Sequence, residues 1–297
     1  MGQTEAAVLL NSASGGSQSV SEASITSRFG AVGISAQVIV LHQGQSPAEA
    51  LRAAREGTTV FVAGGGDGTV SAVAAALAGT DNVLGVLPVG TLNHFAKDLG
   101  IPRKLDDAVA VIARGRIARI DVGRVNDRVF VNNASLGMYP GIVEAREALR
   151  REGHPKWAAM ARAVGMMLRR DRGILVRITT ERGSVVRQTP FVFVGNNEYV
   201  FEGAQLGTRA SLDSGRLFAY LTPRVRASEL PMVLVRALLR RPETSQDLEI
   251  VSAPEISVDM PSGGHVSIAL DGETTTMTTP LIFRSWPGAL RVLVPEG

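Results

Sequence analysis

A glycine-rich turn that carries one carboxylate is the feature of this sequence best suited to chemistry. An apolar run, Val60 to Ala63, is typical of a buried strand, and GGGDGT follows it at residues 64–69. Small apolar residues with good helix propensity then extend to Leu77. A strand, a glycine turn and a helix place backbone N–H groups and a helix N-terminus against a phosphate. The turn residues that we predict to approach a phosphate are Gly65, Gly66, Gly68 and Thr69.

Asp67 lies in the middle of this turn, where a carboxylate is unusual. It would repel a triphosphate unless a divalent cation lay between them, or unless it oriented an attacking hydroxyl group. Both uses indicate phosphoryl transfer. The alternative is a tight strand-to-helix turn in which Asp67 only caps the helix, although the turn has more glycine than that requires. We expect Thr69 to be able to cap the helix.

Two further turns follow strands of the same kind. Ala6–Leu10 predicts a buried strand that leads into NSASGG at residues 11–16, and Asn82–Leu87 predicts another that leads into PVGTLN at residues 88–93. Strands alternate with helices from residue 6 to 114, which predicts a parallel α/β sheet that binds its ligand at the carboxyl ends of the strands. The three turns can therefore converge on one nucleotide, although a simple loop remains an alternative for residues 11–16. The candidate nucleotide-binding residues in these two turns are Asn11, Ser14, Gly15, Thr91 and Asn93.

Motif spacing and composition exclude several other kinds of site and protein. The glycine turn lacks the Lys-Ser/Thr pair of a Walker A motif and the spacing of a dinucleotide fingerprint. The 297 residues include no cysteine, so disulfides and thiolate metal sites are excluded, and the net charge is only +3. The N-terminus has no signal-peptide pattern, and no apolar run approaches the ~20 residues that span a bilayer.

The second half of the chain has a different pattern. Residues 117–125 and 129–134 alternate like antiparallel strands, with a turn at Asn126-Asp127, and residues 174–294 read mostly as strands, which predicts an antiparallel sandwich. Between them, residues 142–172 interleave arginines with apolar residues, and residues 230–241 are similar. Such segments are typical of a membrane-surface helix, but an ordinary helix with a solvated basic face is an equal alternative.

The motifs together resemble a known family. GGGDGT at residues 64–69 and LPVGTLNHFAKDLGIP at residues 87–102 resemble the diacylglycerol kinase catalytic family, which includes bacterial lipid kinases and, more distantly, sphingosine and ceramide kinases. RIDVGRVN at residues 119–126 and VNNASLGMYP at residues 131–140 extend the resemblance. The chain departs from the family pattern where Ser12 replaces a proline and His94 replaces an aspartate.

The resemblance implies a fold and an activity. The expected fold has an N-terminal parallel-sheet α/β domain that binds ATP and a C-terminal antiparallel β-sandwich domain, as in NAD kinases and diacylglycerol kinases. We expect the first domain at residues 1–122 plus about 287–297, and the lipid-substrate domain at residues 123–286. The implied activity is ATP-dependent transfer of the γ-phosphate to a lipid hydroxyl, with diacylglycerol as the default acceptor.

Catalytic residues follow from the same resemblance. Asp67 would bind Mg²⁺ through ATP, and Asp121 would join the active-site network, although a strand aspartate that makes a turn hydrogen bond is an equal alternative. Asp271-Gly272-Glu273 reads by itself as a hairpin turn. The resemblance instead implies that Asp271 or Glu273 is the general base, with Glu273 favoured. A family Mg²⁺ site maps onto Asp213, but Ser214 is a poor ligand, so we do not expect that site in the same form.

Two other functions stay open at this point. One is a kinase of a soluble substrate, because NAD kinases share the GGDG loop, and the other is a non-catalytic lipid- or nucleotide-binding module. The lipid kinase interpretation implies ATP and Mg²⁺ as cofactors, a membrane lipid as the partner and no nucleic acid. It also predicts a cytoplasmic protein at the inner membrane surface, which residues 142–172 would contact, and it leaves the oligomeric state open.

Overall fold

The fold is taken from a computed structural model, which describes residues 4–11, 20–42, 45–137, 173–200, 207–221, 249–261 and 263–296. The described residues form two compact units. The first unit lies within Met1–Val122, Leu212–Ser214 and Trp286–Gly297, and the second within Gly123–Ser211 and Gly215–Ser285.

A parallel sheet forms the centre of the first unit. Its strands lie in the order β2-β1-β3-β4, followed by the last part of β16, and neighbouring strands in this series pair in parallel. The interior positions of β1 and β3 are apolar and buried, which is the composition expected of a parallel strand covered on both faces. The bounds of these strands are β1 Thr4–Leu10, β2 Ile34–Val40, β3 Val60–Gly65, β4 Val83–Pro88 and β16 Leu281–Val294.

Five helices belong to this unit: α1 Glu22–Ala31, α2 Pro47–Leu51, α3 Asp67–Leu77, α4 His94–Asp98 and α5 Leu105–Arg114. Helix α1 contacts α5, and α2 contacts α3. The hydroxyl of Ser21 accepts a hydrogen bond from the backbone N–H of Ser24 at 3.2 Å and so caps α1.

Helix α2 is shorter than the sequence predicts. Pro47 starts it as expected, but it ends at Leu51 and not at Glu56. The side chain of Gln37 explains the early end, because it donates to the carbonyl of Ala53 at 3.1 Å and accepts from the N–H of Arg55 at 2.8 Å. These bonds occupy backbone groups that further helical turns would need.

Two antiparallel sheets form the second unit. One has the strand order β12-β11-β10-β7-β14-β15, and in the other the first part of β16 pairs with β13, which is followed by β8 and β9. Apolar side chains from both sheets, including Val194, Ile256 and Phe283, pack into one buried core. The bounds are β5 Arg116–Val125, β6 Arg128–Phe130, β7 Asn133–Gly137, β8 Ile174–Thr180, β9 Gly183–Thr189, β10 Phe191–Asn196, β11 Leu217–Leu221, β12 Glu249–Ala253, β13 Glu255–Asp259, β14 His265–Leu270 and β15 Glu273–Thr278.

The strand predicted at residues 129–134 is in fact two strands. The turn at Asn126-Asp127 is confirmed, since Val125 pairs with Arg128 across it. After Phe130 the chain leaves the ladder, and β7 begins only at Asn133. The N–H groups in the break donate to the side chain of Asp271 and not to a neighbouring strand.

The predicted fold class is confirmed: a parallel α/β part is followed by antiparallel sheets. The basic segments 142–172 and 230–241 lie outside the described residues. Within the described ranges, no helix is both long and apolar enough to cross a membrane.

Candidate active site

The glycine turn joins β3 to α3 and contacts the end of β1. Gly66 is the N-cap of α3, with no side chain capping the helix, and Asp67 is its first residue. The expectation that Thr69 caps the helix is therefore wrong, because Thr69 already lies within the first turn. Its hydroxyl oxygen instead accepts a hydrogen bond of 3.0 Å from the side-chain amide of Asn11, and the backbone N–H of Asn11 donates to the carbonyl of Gly64 at 2.8 Å.

The backbone of the turn after β4 packs directly against the backbone of the glycine turn. A Cβ atom on Gly90 would lie 2.5 Å from the Cα atom of Gly66 and 3.1 Å from its nitrogen. A Cβ atom on Gly65 would lie 2.6 Å from the Cβ atom of Thr69. Only glycine allows approaches this close, so part of the glycine content of the motif serves the packing of the two turns.

Asn93 holds the shape of the turn after β4. Its backbone is left-handed, with φ 53°, and its side chain is buried. The side-chain oxygen accepts from the N–H of Gly90 at 3.0 Å, and the amide donates to the carbonyls of Pro88 and Gly90 at 3.2 and 2.8 Å. Because these bonds engage the whole amide, Asn93 fixes the shape of the turn, and its contact with a nucleotide stays a prediction.

Asp67 links two helix N-termini. Its Oδ1 accepts a 3.4 Å hydrogen bond from the N–H of Phe95 in α4, and the residue is half-buried. Within the described part of the chain, Oδ2 accepts no hydrogen bond. One carboxylate suits Mg²⁺ at a phosphate site, since that ion usually takes one or two carboxylates together with substrate phosphates and water.

The ends of β1, β3 and β4 thus converge at one edge of the parallel sheet of the first unit. A cavity of about 430 Å³ opens beside the turn after β4, lined by Arg28, Arg103 and Lys104 among others. Arg28 forms an ion pair with Asp106, whereas Arg103 and Lys104 are exposed. Backbone N–H groups at the start of α3 and nearby cations are a donor set that fits a polyphosphate anion.

The structure describes some of the remaining residues in the predicted nucleotide-binding turns, and others lie outside the described ranges. Thr91 is exposed on the turn after β4, and His94 is exposed at the first position of α4. Gly68 follows Asp67 in α3. Ser14 and Gly15 lie outside the described residues.

Asp121 is buried in β5 and is bonded on two sides. Its carboxylate accepts from the N–H of Gly288 at 2.9 Å, and its own N–H donates to the carbonyl of Leu212 at 2.7 Å. These contacts fit the alternative of a strand aspartate with a structural hydrogen bond, here to the N–H of Gly288 within β16. Its place in a catalytic network stays a prediction.

The Asp271-Gly272-Glu273 motif forms the hairpin turn between β14 and β15. Leu270 pairs with Glu273, and the two residues between them have φ values of 48° and 89°. Positive φ at both central positions is the geometry of a type I′ turn, for which Asp-Gly is favoured. Glu273 is exposed at the start of β15, whereas Asp271 is half-buried.

Asp271 is engaged by the break between β6 and β7. Its Oδ2 accepts from the N–H of Val131 at 2.9 Å, and its Oδ1 accepts from the N–H groups of Asn132 and Asn133 at 2.8 and 3.0 Å. The backbone N–H of Asp271 donates to the carbonyl of Asn133 at 2.9 Å. Asp271 thus joins the hairpin to a segment far away in the sequence.

Sequence reasoning missed two residues of this cluster, Arg209 and Asn196. Arg209 is buried, and its guanidinium donates to the carbonyl of Val131 at 2.6 Å and to Oδ1 of Asn132 at 3.0 Å. The side-chain amide of Asn196 donates to the same Val131 carbonyl at 3.0 Å. Both residues lie in the stretch 195–221 that also carries Asp213, but nothing in the sequence of that stretch singled out either side chain.

The predicted metal residue Asp213 is exposed. Across the described ranges, no group of three or more His, Cys, Asp or Glu side chains could hold a metal ion. A Mg²⁺ ion at Asp213 would also need backbone carbonyls or water as ligands, so a metal site here stays a prediction.

Comparison with known proteins shows what the chain resembles. Residues 5–125 match the model of the diacylglycerol kinase catalytic domain. The diacylglycerol kinase of Staphylococcus aureus strain JH9 is 26% identical over 232 residues, which cover 77% of this chain and 73% of that protein. The diacylglycerol kinase of strain Newman matches with the same figures.

Two solved structures from Bacillus anthracis strain Sterne share the fold. One, of a diacylglycerol kinase, superposes with a TM-score of 0.70 at 16% identity, covering 99% of this chain and 97% of that one. A second has a TM-score of 0.75 at 18% identity, covering 98% and 97%. The resemblance predicted from the motifs is confirmed: the chain is similar to diacylglycerol kinases in sequence and in fold, and residues 5–125 match the model of their catalytic domain.

Proposed function

We propose that the protein is an ATP-dependent lipid kinase that transfers the γ-phosphate of ATP to a lipid hydroxyl group, with diacylglycerol as the acceptor and phosphatidic acid as the product. The observation that carries the proposal is the junction of three strand ends around Asp67. There Asn11 bonds Thr69, and Gly90 packs on the backbone of Gly66. A single half-buried carboxylate at a helix N-terminus suits a nucleotide that arrives with a divalent cation.

The first unit supplies the nucleotide contacts. The first N–H groups of α3 would donate to phosphate oxygens, and Thr91 and Asn93 would shape the turn beside them. When bound, Mg²⁺ would neutralise phosphate charge near Asp67, which is the chemistry that phosphoryl transfer requires. Ser14 and Gly15 remain proposed contacts on sequence grounds.

Glu273 supplies the general base. As the lipid oxygen forms its bond to the γ-phosphorus, the hydroxyl proton passes to the Glu273 carboxylate and the bond from that phosphorus to the bridging oxygen of ADP breaks. The exposure of Glu273, directly after the hairpin turn, supports this role, because a base needs lone pairs that reach the substrate. Catalysis by such an enzyme rests mainly on positioning and charge neutralisation.

Two observations support a lipid acceptor. The relatives from Staphylococcus aureus are named diacylglycerol kinases. In addition, the sequence of residues 142–172 combines arginine with apolar residues, as expected of a segment that contacts an anionic membrane surface. We therefore propose peripheral contact with that surface.

The test is transfer of labelled γ-phosphate from ATP, with Mg²⁺, to acceptors presented in mixed micelles. The acceptors are diacylglycerol, phosphatidylglycerol and a sphingoid base, with soluble NAD and a reaction without acceptor beside them. Label in diacylglycerol that disappears in Glu273→Gln would support the proposal. Label in NAD alone would move the assignment to a kinase of a soluble substrate, and ATP binding without transfer to any acceptor would favour a non-catalytic module.

A further inference from the structure

One peptide group in the second unit lies between two opposite charges. The carbonyl of Val131 accepts from the guanidinium of Arg209 at 2.6 Å, while the N–H of Asn132, in the same peptide group, donates to the carboxylate of Asp271 at 2.8 Å. The dipole of that peptide is therefore aligned with both charges. Hydrogen bonds in such a chain polarise and strengthen one another.

The neighbouring groups of this segment are held in the same way. The N–H groups of Val131 and Asn133 also donate to Asp271, at 2.9 and 3.0 Å. The carbonyl of Asn132 accepts from the N–H of Asn196 at 2.9 Å, and its side-chain oxygen accepts from Arg209 at 3.0 Å. Residues 131–133 are thus held by a carboxylate on their N–H side and by a buried cation on their carbonyl side.

Asp271 is poorly placed to act as a base. A carboxylate has about four lone-pair sites, and three backbone N–H groups already occupy sites on both of its oxygens. Taking a proton would convert an acceptor in this cluster into a donor that faces other donors. Its contacts suit a structural task, which is to fix the hairpin that carries Glu273 one residue beyond the turn glycine.

We propose that Asp271 is a positioning residue for Glu273, and that Arg209 is its counterpart on the other side of residues 131–133. This inference deepens the proposed function and rests on it, because it assigns separate roles to the two carboxylates of the Asp-Gly-Glu motif. It also adds Arg209, which the sequence analysis did not single out, to the set that determines the rate of transfer.

The kinetic test is a double-mutant cycle with Asp271→Asn, Glu273→Gln and the double variant in the full chain. Asp271→Asn should lower kcat by about 10²-fold, as small misplacements of a reacting group can do, and leave the KM for ATP unchanged. In the Glu273→Gln background the same change should have almost no effect on kcat, because the group that Asp271 positions is gone. If the fold-losses of kcat in the two single variants instead multiply in the double variant, Asp271 acts independently of Glu273 and the proposal is overturned.

Asp127→Asn is the matched control, because Asp127 is an exposed aspartate in the two-residue hairpin turn between β5 and β6 of the same unit. It should leave kcat and the thermal midpoint unchanged. Each variant is assayed well below its own midpoint, so that loss of folded protein does not imitate loss of rate. Arg209→Lys keeps the charge but not the two-pronged contact, so it should lower kcat less than Arg209→Met does.

Amide hydrogen exchange tests the contacts without any activity. The N–H groups of residues 131–133 should be protected in the wild type and should exchange faster in Asp271→Asn and Arg209→Met, but not in Asp127→Asn. Unchanged protection would overturn the proposed contacts. If protection is lost as expected but the wild type phosphorylates no acceptor, then the proposed function fails, and the role of Asp271 and Arg209 in positioning a base fails with it.

Discussion

The side-chain amide of Asn11 donates a hydrogen bond of 3.0 Å to the hydroxyl oxygen of Thr69. The bond ties the end of the first strand to the first turn of the helix that follows the glycine loop. Two of the turns predicted to meet at one nucleotide are therefore joined by side chains as well as by the sheet.

Thr69→Val tests this link. Valine has nearly the same shape as threonine but cannot accept a hydrogen bond, so the bond from the amide of Asn11 to residue 69 is lost. We expect the free energy of unfolding to fall by about 1 kcal/mol, with weaker binding of ATP. Chemical denaturation and ATP titration measure the two effects. Thr69→Ser keeps the hydroxyl and should bind ATP like the wild type. If both variants lost ATP affinity equally, the result would contradict the role of this hydrogen bond.

Gly90→Ala tests the contact between the two turns. The new Cβ atom would lie 2.5 Å from the Cα atom of Gly66, and a backbone atom cannot move aside as a flexible side chain can. The turns should separate, which lowers the thermal midpoint and weakens ATP binding. Gly30→Ala is the control: no atom lies within 4 Å of its Cβ position, and Gly30 is in α1, so alanine should stabilise the protein by roughly 0.5–1 kcal/mol.

Two substitutions at Asp67 separate a metal role from a packing role. Asparagine keeps an Oδ1 acceptor for the N–H of Phe95 but removes the charge, whereas alanine removes both. If the carboxylate binds Mg²⁺ with ATP, Asp67→Asn should lose transfer about as completely as Asp67→Ala while keeping a higher thermal midpoint. Transfer rates measured over a range of Mg²⁺ concentrations show whether the Asp67 carboxylate binds the metal. An active Asp67→Asn variant would show that the residue only holds α4.

Tyr220 predicts how stability changes at alkaline pH. Its hydroxyl accepts from the N–H of Tyr199 at 2.9 Å, and burial raises its pKa from 10.0 to about 12. Between these values the unfolded chain loses a proton that the folded protein keeps. The contribution of Tyr220 to stability is therefore complete below pH 10 and is lost as the pH rises from 10 to 12.

Urea denaturation across this pH range, followed together with phenolate absorbance, measures the effect. Tyr220→Phe should be less stable near neutral pH, since the N–H of Tyr199 loses its acceptor. Its stability should then fall less steeply between pH 10 and 12 than that of the wild type. Parallel curves for the two proteins would show that Tyr220 does not cause the alkaline loss.

The sequence by itself determined the order of the elements and the nature of the glycine turn. Short runs of consecutive apolar residues such as Val60 to Ala63 are typical of parallel strands covered on both faces, and the glycines after them mark where the backbone turns. The Asn-Asp and Asp-Gly hairpins are also local, because Asn126, Asp271 and Gly272 have φ > 0 and belong to residue types that tolerate that conformation. The family resemblance rests on these same local features.

Tertiary structure alone decided the roles of individual side chains. Nothing near Asp271 in the sequence shows that it binds the N–H groups of residues 131–133, and nothing near Thr69 shows that Asn11 is its partner. Likewise Gln37 ends α2 by bonding backbone groups of another element. Contacts between residues distant in the chain depend on where the sheets place them, and short patterns do not specify which side chains that placement brings together.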